Sequence, residues 1–288
     1  MASGLKRPCK KQKYDLNAFK ESASKFAMNE EEALMIKINE TNKVSEIFPR
    51  YSKVETNPDL HHLKLEGFNR DEILTFVPTK HSSLSDDQRR FLTKLRHVLI
   101  NNEVDVHNSK CELYIQAMID ILLQQCKLDD ALSLEMLPSV LRMYIGDRSF
   151  ATQSDREGRK DGQLVWVLQE SKHKNDTRYR GGDIQLVSAI IAACQQNYSI
   201  FGGHIFPQTM YGINVKGDEV SVMRTVIIES YLLHLFGGLP QQPLIVNKYP
   251  KDARLKLSSY KSRCEILCLM TKLRKYALSV DVDVPSSL

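Results

Sequence analysis

The chain has 288 residues, 42% of them hydrophobic and 26% charged, which is enough to bury a substantial core as one large or two modest domains. It contains no run of about eighteen apolar residues and no apolar stretch near its first residue, which argues against a membrane-spanning helix and a secretory signal. The net charge of +5 is carried by Lys6, Arg7, Lys10, Lys11 and Lys13, because the other 35 basic residues balance 35 acidic ones.

Those five cations stand in a segment without acids, Lys6-Arg7-Pro8-Cys9-Lys10-Lys11-Gln12-Lys13, which resembles a nuclear-localisation signal. It implies an import receptor as partner and a nuclear location; a plain basic tail would leave the protein in the cytoplasm. Residues 1–30 read as a basic tail, disordered or weakly helical. The six cysteines are scattered, as expected of reduced thiols in an intracellular protein, and no His or Cys spacing suits zinc. Residues 31–104 read as an accessory helical region interrupted by Pro49, Pro58, Gly67 and Pro78. Ser85-Asp86-Asp87-Gln88 has the form of a capping box and opens a helix through Phe91, Leu92, Leu95, Val98 and Leu99. Arg89, Arg90, Lys94 and Arg96 occupy its other side, as a solvated face or a phosphate-contacting one.

A second helix is expected over about 111–127, with Leu113, Ile115, Met118, Ile119, Ile121 and Leu122 as core positions and Glu112 in its first turn. Residues 138–145 and 149–155 read as strands, and residues 156–162 as a polar turn. The run Gln163-Leu164-Val165-Trp166-Val167-Leu168-Gln169-Glu170-Ser171-Lys172 reads as a buried strand ending in Glu-x-Lys, with Glu170 and Lys172 on one face. A carboxylate beside an ammonium at such an end is what a metal-dependent phosphodiesterase needs. After a basic loop and Gly181-Gly182, Asp183 opens a helix carrying Gln185. Residues 209–226 form a hairpin about Lys216-Gly217-Asp218-Glu219, and helices near 226–236 and 253–278 complete the chain.

The order helix, strands, Glu170-x-Lys172, Gln-bearing helix, hairpin resembles the PD-(D/E)xK nuclease superfamily over about residues 105–230. A looser resemblance is to the nuclease-like domains of Crinkler-type effectors, through Gln185 and Tyr211-Gly212-Ile213. The resemblance implies an α/β fold with a restriction-endonuclease-like αβββαβ core and additional helices at both ends, residues 231–288 being a C-terminal helical extension. It implies Mg²⁺ or Mn²⁺ held by Asp155 and Glu170, with Glu112 as an added acid and Glu135 behind it. Lys172 would orient the attacking water, and Gln185 would complete the catalytic set. The turn residue Asp161 competes with Asp155 for the metal. Lys174, Arg178 and Arg180 would hold the nucleic-acid backbone, with DNA favoured over RNA and no membrane partner. Two rivals stand beside this reading. One is an inactive nuclease fold kept as a nucleic-acid-binding or effector module. The other is a helical interaction protein binding through residues 253–278.

Overall fold

The computed structural model describes residues 15–103, 110–130, 133–139, 141–152, 154–171 and 182–281. In chain order, two 3-10 turns (Leu16–Ala18 and Ala23–Lys25) and α1 (Met28–Ala33) lead to β1 (Ile36–Glu40), α2 (Val44–Ile47) and α3 (Arg70–Leu74). The long helices α4 (Asp86–Glu103) and α5 (Lys110–Gln125) follow. Then come β2 (Glu135–Ser139), β3 (Arg142–Ile145), β4 (Arg148–Ala151), β5 (Ser154–Lys160) and β6 (Gln163–Ser171). The buried helix α6 (Gly182–Phe201) precedes β7 (Gln208–Lys216), β8 (Glu219–Ile227) and α7 (Glu229–Phe236). The last elements are β9 (Leu244–Tyr249), β10 (Leu255–Lys256) and α8 (Tyr260–Leu278).

The protein is mixed α/β. Its eight-stranded sheet runs β1-β9-β8-β7-β6-β5-β2, with β10 also paired to β8. The pairs β1/β9 and β6/β7 are parallel and the other pairs antiparallel. One face is covered by α4, α5, α8 and residues 47–76 in a single apolar cluster containing Phe91, Leu95, Met118, Trp166 and Leu267. The other face carries α6, α7, the β3–β4 hairpin and residues 19–36. The first strand, β1, pairs in register with β9, so residues 36–40 belong to the central sheet. Phe19 and Phe26 pack on Phe150, which ties the residues from 19 onward to β4.

The capping box at α4 forms as expected: the Ser85 amide donates to Gln88 Oε1 (2.8 Å), and the Gln88 amide donates to Ser85 Oγ (3.2 Å). Helix α5 buries Ile115, Met118, Ile119, Leu122 and Leu123. Leu113, expected in that core, is 64% exposed, because it lies two residues from Ile115 and so falls on another side of the helix. Helix α6 is buried on most sides because it is sandwiched between the sheet and β3–β4, and its middle from Leu186 to Cys194 is apolar apart from Ser188. Its buried amides clamp backbone on both sides. Gln195 exchanges two hydrogen bonds with Tyr144 (2.8 Å each), and Asn197 does the same with Leu164 (2.9 and 2.8 Å).

Three local expectations change. Of residues 156–162, expected as a polar turn, only Asp161-Gly162 turn; 156–160 continue the strand from Ser154, although Ser-Asp-Arg-Glu-Gly-Arg-Lys contains no β-branched residue, because pairing on both edges, with β2 and β6, overrides propensity. The stretch 149–155 is divided between β4 and β5, and β4 leaves the main sheet to pair with β3. The last helix starts at Tyr260, not 253, and its apolar side, including Ile266, Leu267, Met270 and Leu273, is buried against the sheet. That helix is therefore a structural layer of the domain.

Cys126, Cys194, Cys264 and Cys268 carry free thiols. Burial pushes the Cys126 thiol up to about 12 and raises Cys194 as well, while Cys264 and Cys268 are half-exposed. Iodoacetamide at pH 8, followed by peptide mass spectrometry, is expected to modify Cys264 and Cys268 well before Cys126 and Cys194, since the thiolate is the reacting form. Equal labelling of all four in native protein would contradict this packing.

Candidate active site

The β5–β6 hairpin positions the first candidates. Its turn is the two-residue Asp161-Gly162, with φ of 49° and 82°, closed by the pair Lys160↔Gln163. Positive φ at both central residues is the turn that continues strand twist, which suits Asp-Gly. Beyond the turn the register shifts between Gly158 and Arg159, and Val165 is the extra residue opposite them. The bulge sends Val165 and Trp166 into the same apolar cluster. The Trp166 indole lies flat against Gly158, where a Cβ would come within 1.9 Å of the ring.

This geometry separates the two competing aspartates. Asp161 sits at the turn, seven strand residues from the Glu170 end, or roughly 23 Å away at the usual rise. It cannot share a cation with Glu170, and its role is turn chemistry. Asp155 is the second residue of β5, half-buried and engaged in polar contact. Arg156 pairs with Leu168, so Asp155 lies beside Gln169 and one register step from Glu170. Glu170 occupies the penultimate position of β6, its backbone paired with Val215 of β7; its side chain lies outside the described residues. Lys172, Lys174, Arg178 and Arg180 also lie outside them, as do Lys6, Arg7, Lys10, Lys11 and Lys13.

Glu112 is half-buried in the first turn of α5, and has a polar partner of its own. Further along α5, Asp120 takes a two-pronged contact from Arg156 (3.0 and 2.9 Å), which locks α5 to β5 and fixes the α5 side as the Arg156 face of the sheet. Glu135 pairs with Arg159, near the turn end of the hairpin and away from Asp155.

On the opposite, α6-facing side, a row of polar residues crosses the strand ends. Gln169 of β6 neighbours Asn214 of β7, which pairs with Ser221 of β8. All three are buried. The first turn of α6 lies over this row. Gln169 Nε2 donates to Gln185 Oε1 (2.7 Å), and Asn214 Nδ2 donates to Asp183 Oδ1 (3.2 Å). Lys248 of β9 joins Asp183 (2.7 Å) and Glu40 of β1 (3.0 Å), and Arg254 donates to Asn214 Oδ1 (3.1 Å). Gln169 Oε1 and Ser221 Oγ are buried without a hydrogen-bond partner among the described residues.

No protein-family model matches the chain, and no curated protein matches it. The assignment of this site therefore rests on its own geometry.

The electrostatics of the row are mixed. Desolvation works against the Lys248 ammonium, but Asp183 and Glu40 outweigh it and hold its pKa above the usual lysine value. Burial raises the Glu31 carboxyl, and the nearby charges of Asp183 and Glu32 add to it. Gln185, expected from the sequence, is found at the site with its oxygen engaged, so its amide N–H groups are the ones left to meet a ligand. Sequence reasoning missed Gln169, Asp183, Asn214, Lys248 and Arg254. One signal was available: Gln169 and Asn214 are amides that directly follow apolar stretches of their strands, and a buried amide in such a place needs a partner. The pairing of Lys248 with both Asp183 and Glu40 joins residues too far apart in the chain to be read from spacing.

Among the described residues no three His, Cys, Asp or Glu side chains gather as a metal cluster, and no helix is long and apolar enough to cross a membrane. Asp155 and Glu170 carry hard oxygen donors of the type Mg²⁺ and Mn²⁺ take, on adjacent strands, but the register assigns them to opposite faces of the sheet, position 155 with Gln169 on the α6 side and position 170 with Leu168 on the α5 side.

Proposed function

We propose that the chain is a metal-dependent nuclease of the PD-(D/E)xK type, hydrolysing phosphodiester bonds of nucleic acid, with DNA favoured over RNA, and working in the nucleus. One observation carries the reading. The antiparallel strands β2, β5 and β6 follow α5, and α6 then crosses to β7, which is parallel to β6. This register puts Asp155 opposite Gln169, on the side of the sheet where α6 bears Gln185, and Glu170 one position further along β6 on the other side, so a shared cation would need the strand ends to twist towards each other. On this reading the β3–β4 hairpin is an insertion between the first and second strands of the αβββαβ order.

Asp155 and Glu170 would hold the cation, with Glu112 of α5 as the additional acid. A bound Mg²⁺ or Mn²⁺ would supply charge stabilisation at the phosphoryl group and a water of lowered pKa. Lys172 would donate to that water and to the charge that develops as the phosphodiester is attacked. Gln185, its oxygen tied to Gln169, would offer N–H groups to a phosphate oxygen. Lys174, Arg178 and Arg180 would hold the backbone without reading sequence. The basic segment containing Lys6, Arg7, Lys10, Lys11 and Lys13 would recruit the import receptor.

The test is cleavage of labelled single- and double-stranded DNA and RNA with Mg²⁺ or Mn²⁺. Asp155→Asn, Glu170→Ala and Lys172→Ala are each expected to lose about 100-fold or more of the rate. Asp161→Asn should cut like the wild type, because Asn tolerates the same left-handed turn position. Absence of cutting on every substrate, with nucleic-acid binding intact, would leave the inactive binding module. Loss of activity in Asp161→Asn but not in Asp155→Asn would reverse the assignment of the two aspartates.

A further inference from the structure

The outer side of α4 carries a cavity of about 400 Å³ lined by Pro78, Asp86, Arg89, Arg90, Thr93 and Lys94. We propose that Arg89, Arg90 and Lys94 form a phosphate-binding pocket that holds the nucleic-acid backbone at a point remote from Glu170. The proposal rests on the nuclease reading and adds to it a second contact, on an element that the proposed catalytic chemistry does not use.

Three features carry it. The first is charge. The chain beyond residue 13 is neutral overall, yet three cations face one concavity with a single acid. That acid, Asp86, has a side chain 86% exposed and among the described residues pairs with Arg89 alone. Arg90 and Lys94 make none of the ion pairs found among the described residues. They stand four residues apart on the helix, where like charges oppose each other and an external anion would relieve them.

The second is chemistry. Two guanidinium forks and an ammonium around one hollow match the oxygens of a phosphodiester, which accept several charge-assisted hydrogen bonds at once. Arg96, the remaining cation of this stretch, is committed elsewhere, donating to the Leu74 carbonyl (2.9 Å). The local field is also felt by its neighbour. Burial, then the charges of Lys94 and Arg96, lower the pKa of His97.

The third is position. At the other end of α4, the Asn102 side chain fills the space beside Gly217, in the β7–β8 turn. That turn adjoins the end of β6, where Ser171 pairs with Lys216. Twelve residues of helix separate Arg90 from Asn102, or about 18 Å. At roughly 3.4 Å per phosphate along one strand, a bound polynucleotide would cover this in about five nucleotides. A free small anion in the pocket would gain nothing from this distance.

The experiment is fluorescence anisotropy of labelled DNA and RNA oligonucleotides with EDTA present. Wild type would be compared with Arg90→Gln/Lys94→Gln, and with Lys37→Gln as a control for net charge. The double variant is expected to bind a 20-mer about tenfold more weakly, and to lower the slope of log K against log salt by one to two, since each neutralised phosphate contributes about 0.7–0.9. Lys37→Gln should change neither. Oligonucleotides shorter than about five residues should not distinguish the double variant from wild type. An unchanged slope and affinity on the 20-mer would overturn the pocket while leaving the nuclease reading intact. Binding with the expected slope change, but no cleavage when metal is restored, would keep the pocket and sink the nuclease. No binding of any polynucleotide by the wild type would overturn both. Inorganic tripolyphosphate serves as the last arm. If it stabilises the wild type against heat but not the double variant, while polynucleotide binding ignores the substitutions, the pocket takes a free polyphosphate and the proposal fails.

Discussion

Replacing Arg263 by Leu is expected to destabilise the protein by about 3–5 kcal/mol, measured by urea unfolding. The side chain is 0% exposed and has no acid partner among the ion pairs of the described residues. It is satisfied by carbonyls instead. Nε donates to Lys64 (2.9 Å), Nη1 to Leu257 (2.6 Å), and Nη2 to Leu65 (2.9 Å) and Phe68 (2.7 Å). Burial pulls its pKa down to about 10, so it is still a cation at neutral pH. Three of the four carbonyls belong to the irregular segment around Leu65, which itself holds a left-handed φ of 52°. That segment makes few regular backbone hydrogen bonds, and Arg263 supplies them from α8. Leucine removes the donor from all four carbonyls, of which Leu65 keeps another in the Phe68 amide (3.1 Å). Arg263→Lys keeps the charge with three donors in place of the fork, and should fall between the two. A loss below about 1 kcal/mol for Arg263→Leu would mean that water or a shifted backbone replaces the guanidinium.

Gly158→Ala is the second large effect, expected to cost about 2–3 kcal/mol. A methyl there overlaps the Trp166 ring, and Trp166 is 0% exposed, so neither strand can yield freely. Trp166→Phe is costly alone but empties the space that the methyl needs. The pair should therefore cost at least about 1 kcal/mol less than the sum of the single changes. Strict additivity in a double-mutant cycle would show that the two side chains do not meet as described. Because this contact fixes the bulge in β6, Gly158→Ala is also expected, on the proposed nuclease reading, to weaken metal-dependent cleavage through the register of Glu170, beyond what its stability loss explains.

The long helices and the β7–β8 hairpin were legible in the sequence because each satisfies a local rule. The α4 capping box, the spacing of Phe91, Leu95 and Leu99, and the turn at Gly217-Asp218 all operate over a few residues. Strand β5 was not legible, because its residues favour turns and only pairing on both edges makes it extended. That one misreading also kept Asp161 open as an alternative to Asp155 at the site, since their distances from Glu170 depend on where the turn falls. The strands β1 and β9 escaped for another reason. Each is short, and the pairing that joins them spans some two hundred residues, which no window on the sequence contains, although β9 also pairs with the nearer β8. The floor of Gln169, Asn214 and Asp183 is visible only once β6, β7 and α6 have been laid side by side.

The pairing of Ile36 with Leu244 sets a timetable for the growing chain. At a synthesis rate of about 5–20 residues per second, β1 waits roughly 10–40 s for β9 to be made. Until then its backbone groups are an open template for any other extended segment. The central strands can zip locally as they emerge, but the β1 edge closes only once Leu244–Tyr249 have been made. A ribosome-bound nascent chain cut short before Leu244 would hold β1 unpaired, and holdase chaperones would meet this protein there, at its earliest strand.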